Sequence, residues 1–108
     1  MPSNITRGNI EGLIALQAKA NPNAVGGYTS AEQDFYVPGV LASDVVISLS
    51  PPSGTNGIFI GNVRVKSNNI ISVIFVNSTA TSATPVSGNY TMTLGRLSDS
   101  STLPIVLF

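Results

Sequence analysis

A chain of 108 residues supports one domain, which at this size buries roughly 65% of the surface its unfolded form would expose. Cys and His are both absent, so disulfides contribute nothing, and the usual bases and metal ligands are nearly missing. Only 9% of residues are charged, against roughly 25% in typical soluble domains, and the formal net charge is zero, which excludes the basic footprint of nucleic-acid binding.

Ser, Thr and Asn take the place of charge, and such a surface is poorly protected against association. A protein that lives in an oligomer or on a larger assembly is the expectation. No run of 18 or so apolar residues offers a membrane span, and Met1-Pro2-Ser3-Asn4 lacks the basic-then-apolar layout of a signal peptide. The chain reads as soluble and without its own export signal.

Residues 1 to 30 differ from the rest of the chain. Ile10, Leu13, Ile14 and Ala18 fall at helix-like spacing, but Gly12 and the short length make an isolated helix marginal. Asn21 to Gly27 is linker chemistry. The region reads as an arm ordered on a partner or on the β-domain, with a short helix as the other form. From Ala31 the pattern changes to strands. Phe35-Tyr36-Val37 is closed by Pro38-Gly39, and Asp44 to Leu49 is a second strand with Val45, Ile47 and Leu49 on one face. Pro51 to Gly57 is loop.

Ile58 to Lys66 and Ile70 to Val76 form a hairpin over Ser67-Asn68-Asn69, because Asn tolerates the left-handed backbone of a tight turn. In the first strand Val63 and Val65 alternate with Arg64 and Lys66, so one face is wet. In the second, Ile71, Val73 and Phe75 face opposite Ile70, Ile74 and Val76; a strand apolar on both faces is central or covered by another subunit. Tyr90, Met92 and Leu94 point inward from a later strand. After a polar break comes Leu103-Pro104-Ile105-Val106-Leu107-Phe108, which either completes a sheet or docks on a neighbour by strand addition.

Residues that could carry chemistry are few. Gly54, Gly57 and Gly61 lack the Gly-Lys-Ser/Thr of a phosphate loop and read as a turn and a bulge. Glu32 and Asp34 share a strand face with too few oxygens for Ca²⁺, and read as solvated charges that blunt an edge. A Ser or Thr nucleophile would have only Lys19 or Lys66 as a base, neither in a motif. No enzyme, cofactor or metal site is expected.

Short strands with turn signals between them predict an all-β fold: a small antiparallel β-sandwich or partly open barrel over 31–108, with an extended N-terminal arm over 1–30 and an apolar C-terminal tail. The order of segments Ala31 to Gly39, Asp44-Val45-Val46, Ser50-Pro51-Pro52, Asn56-Gly57-Ile58, Val63-Arg64-Val65, Asn69 to Asn77 and Thr84 to Met92 resembles small capsid cement or decoration proteins of tailed bacteriophages. The chain differs from that pattern in its extension from Leu97 and in Pro51-Pro52.

The resemblance implies a structural virion protein, made in the host cytoplasm and carried on the capsid surface, that bridges and stabilises capsomers of the major capsid protein. It also implies self-association, as a homotrimer first and a dimer second, with no nucleic-acid or membrane partner. The expected partner contacts are Ile10, Leu13, Ile14 and Leu16 in the arm, and Ile105, Val106, Leu107 and Phe108 in the tail. The other expectation is a receptor- or carbohydrate-binding module of a fibre, tail or adhesin, with exposed aromatics such as Tyr36 gathered on one face.

Overall fold

The computed structural model describes residues 10–97. Its six strands are β1 (Ile10–Ala20), β2 (Ser30–Tyr36), β3 (Val45–Ser50), β4 (Ile58–Ser67), β5 (Ile70–Asn77) and β6 (Gly88–Leu97). They make two three-stranded antiparallel sheets in the orders β1-β6-β3 and β2-β5-β4, without a helix among the described residues. The all-β, sandwich-like class expected from the strand and turn signals is what forms.

The β4–β5 hairpin is the local seed of the second sheet. Asn69 takes the left-handed backbone at φ 69°, as the turn requires, and Val63 and Val65 point inward while Arg64 and Lys66 point out. Glycine works at two points of β4. Gly57, at φ +79°, closes the turn before the strand, and a side chain there would collide with Thr79. The register shifts between Ile60 and Asn62, so Gly61 marks a bulge.

The two central strands face each other across the core. Ile71, Val73 and Phe75 project from β5, and Tyr90, Met92 and Leu94 from β6, all buried. Phe75 meets Phe35 and Tyr90 edge to face, with ring centroids 6.3 and 6.5 Å apart. The Tyr90 hydroxyl donates to the Val86 carbonyl at 2.6 Å, so the one polar atom this ring brings inward is satisfied. Burial pushes its phenol above the ordinary value.

Two expectations are corrected. Residues 10–20 are neither arm nor helix but strand β1, whose Ile14, Leu16, Ala18 and Ala20 pack on the core; the sheet therefore begins well ahead of Ala31. Tertiary pairing with β6 overrides the weak helical spacing. In β3 the register shifts between Val46 and Ser48, so Val46 and Leu49 point inward while Val45 and Ile47 are exposed. The bulge reverses the facing that strict alternation assigns to Val45 and Ile47.

Each end of the sandwich is closed by polar side chains. At one end Asn68 Oδ1 accepts from the Ala42 N–H at 2.7 Å and Asn69 Oδ1 from the Gly39 N–H at 2.8 Å, tying the β2–β3 connection to the hairpin tip. At the other, the buried Asn77 donates to the Val25 and Thr81 carbonyls at 3.0 and 2.9 Å and accepts from the Thr79 N–H at 2.9 Å. These bonds gather the β1–β2 and β5–β6 connections. Truncating Phe75 to Ala removes the ring shared by both sheets and is expected to cost about 3–5 kcal/mol, read from the denaturant midpoint.

Candidate interaction surface

The outer faces of the two sheets have opposite character. On the second sheet, Glu32 lies opposite Ile74, and both Asp34 and Arg64 lie opposite Ser72. Arg64 reaches over β5 to Glu32 with a two-pronged contact at 3.0 and 3.2 Å, and Lys66 reaches Asp34 at 2.7 Å. Ser72, fully buried beneath, donates to the other Asp34 oxygen at 2.5 Å. The apolar outer side of β5 is thus roofed by ion pairs from both edge strands, which answers how a strand apolar on both faces is accommodated.

The Arg64 hydrogen bond holds the Glu32 carboxyl below its ordinary pKa, and the Lys66 bond followed by that of Ser72 does the same for Asp34. Exposed pairs of this kind add little to stability. They make the middle of the face charged, paired and solvated, with Tyr36 and Phe59 exposed at its two ends.

A third ion pair is structural. The Asp44 side chain is fully buried and takes Arg96 Nε at 3.0 Å and Nη2 at 2.7 Å, while the Leu41 N–H donates to Asp44 Oδ2 at 2.9 Å. Arg96 Nη2 also donates to the Gly39 carbonyl at 3.0 Å. The guanidinium so fastens the β2–β3 connection to β6. It holds the Asp44 carboxyl below its ordinary value, and its own pKa is raised by the same bond.

The first sheet's outer face is different. Successive rows across β1, β6 and β3 are Leu13-Gly95-Val45, Ala15-Thr93-Ser48 and Gln17-Thr91-Ser50, with Lys19 beside Asn89 at the far end. Lys19 is the one charged side chain in these rows. Leu13 is 67% exposed, Val45 48% and Ile47 50%, and with Gly95 adding no side chain between Leu13 and Val45 they form an apolar end to an otherwise neutral surface. A face of this kind sheds its water cheaply when another surface closes over it.

No family model, curated protein or solved structure matches this chain. Other places offer less. A groove of about 190 Å³ opens between the β3–β4 and β5–β6 connections, lined mostly by apolar residues such as Pro51, Ile58, Ile60 and Val86, with Ser53 and Thr55 as its small polar side chains and no charged one. Among the described residues no group of three or more His, Cys, Asp or Glu is placed to hold a metal ion.

Of the residues expected to contact a partner, Leu13 stands on the neutral face, whereas Ile14 and Leu16 point inward. The Ile10 side chain and Ile105, Val106, Leu107 and Phe108 lie outside the described residues. Val45 and Ile47 were not expected on the surface; only the bulge reveals them.

A carboxyl whose folded pKa is depressed stabilises above its unfolded value and loses that contribution as pH falls through the folded one. The Asp44 contribution is therefore intact above about pH 4 and declines below it. Arg96→Met leaves the buried carboxylate with only the Leu41 N–H. It is expected to cost about 2–3 kcal/mol at neutrality, below the full range for a broken buried pair because Arg96 is one-third exposed. The unpaired carboxyl then has a raised pKa, so mild acid should return part of the loss, as read by denaturation at stepped pH.

Proposed function

We propose that this chain is a structural virion protein, a capsid cement or decoration protein of a tailed bacteriophage. It binds the major capsid protein and itself, is made in the host cytoplasm and is carried on the capsid surface. The observation that carries the reading is the neutral outer face of the β1-β6-β3 sheet with exposed Leu13, Val45 and Ile47, set against a second sheet whose outer charges are already paired. The resemblance over 31–94, which spans β2 from Ala31, all of β3 to β5 and β6 as far as Leu94, supports it.

Such a protein works by buried surface and not by reaction. Binding free energy spread over many symmetric copies holds capsomers against expansion, and each copy need contribute only modestly. A surface rich in Thr, Ser and Gln around an apolar end suits repeated docking on a regular lattice.

The reading as a sugar-binding module needs clustered aromatics. Tyr36 and Phe59 are both exposed, but Tyr36 pairs with Ile70 and Phe59 with Val76, which places them at opposite ends of β5, roughly 20 Å apart at strand spacing. That separation favours the capsid reading.

Val45→Asp places a charge in the apolar end without touching the core. It is expected to weaken attachment to purified capsids lacking this protein by at least about tenfold, measured by co-sedimentation. Arg64→Gln, on the opposite sheet, should leave attachment unchanged. Undiminished attachment of the Val45 variant, or glycan binding lost on Tyr36→Ala, would move the function to the other reading.

A further inference from the structure

A sandwich of two three-stranded sheets has four edge strands, and three of these are protected. Glu32 and Asp34 mark β2; Arg64 and Lys66, with two register shifts, mark β4; and β3 is six residues long with a shift of its own. The fourth, β1, is 11 residues long, contains no Pro, holds an unbroken register with β6 from Gly12 to Ala20, and has no charge between Gly12 and Ala18. Its other side is unpaired among the described residues.

We propose that β1 is a self-association edge, pairing antiparallel with β1 of a second copy about a two-fold axis through Ala15 to make one continuous six-stranded sheet. In such a pairing, opposite residues share a face, so the axis must pass through a residue and not between two. With the axis at Ala15, Leu13 meets Gln17, Ile14 meets Leu16, and the uncharged run from Gly12 to Ala18 pairs wholly with itself, leaving Lys19 just outside it at each end. An axis at Leu16 sets Lys19 opposite Leu13, and one at Ile14 runs the pairing into the register shift between Ile10 and Gly12. The Ala15 axis also runs the inward Ile14 and Leu16 of each copy against those of the other, continuing the apolar layer beneath the sheet.

The pairing explains why the middle of this edge, Gly12 to Ala18, is free of charge and of register shifts, while Lys19 and the shift between Ile10 and Gly12 stand at its ends. It also doubles the neutral face. One three-stranded face covers roughly 500 Å² at ordinary strand spacing, short of the roughly 800 Å² per partner of a stable interface, and two joined exceed it. A two-fold pairing selects the dimer over the trimer. Strand geometry alone carries this pairing, which is independent of the particle reading.

The test is a charge exchange on the full chain, read as mass by sedimentation equilibrium. The wild type is expected at twice 11.2 kDa. Ala15→Glu and Ala15→Lys alone each set like charges against one another at the axis and should give monomers, while an equimolar mixture of the two restores an opposite-charge pair and the dimer. A monomeric wild type, as would result if residues 1–9 or 98–108 capped the edge, overturns the proposal. So does a dimer that survives both single changes, or a mixture that stays monomeric.

Discussion

Everything in this molecule hangs on the packing of β5 against β6, with Phe75 set between Phe35 and Tyr90. The chain has no cysteine, so no cross-link shares the task of holding the sheets together. Only β4 and β5 are joined by a tight hairpin; every strand of the first sheet finds its partner far along the sequence. Such a fold forms only when the distant strands have met, and its stability is that of the shared core.

Because the core alone holds the sheets, their outer faces are free to differ. The chain has five basic and five acidic residues, and among the described residues the ion pairs are spent on two tasks: a roof over β5 and a clamp from β6 to the β2–β3 connection. Little charge is left for the first sheet. Its partly apolar outer face and the uncharged middle of its β1 edge, Gly12 to Ala18, arise from one allocation, and both favour contact with other protein surfaces.

Much of the second sheet was legible in sequence. The Asn-rich turn, the alternation of Val63 and Val65 with Arg64 and Lys66, and the two-sided apolar run of β5 are local signals, and local pairing realises them. Glu32 and Asp34 were readable as solvated charges on an edge, and Tyr90, Met92 and Leu94 as inward. The first sheet was harder. The spacing of Ile10, Leu13, Ile14 and Ala18 mimics a helix because Leu13, which breaks the inward alternation of Ile14, Leu16, Ala18 and Ala20, is an exposed surface residue. The facing of Val45 and Ile47 depends on a bulge that shows only in the register with β6, and the Asp44–Arg96 clamp joins residues 52 apart that carry no shared motif. Contacts made by distant pairing leave no local trace, and here the surface that matters most is made by them.

The central claim is that the outer face of the β1-β6-β3 sheet is the one that meets other protein. Hydroxyl-radical footprinting of the free protein against the protein bound to capsids tests it most directly. Leu13, Val45 and Ile47 should lose most of their labelling on binding while Tyr36, on the other sheet, keeps its own. Protection of Tyr36 with Leu13, Val45 and Ile47 still labelled would contradict the account.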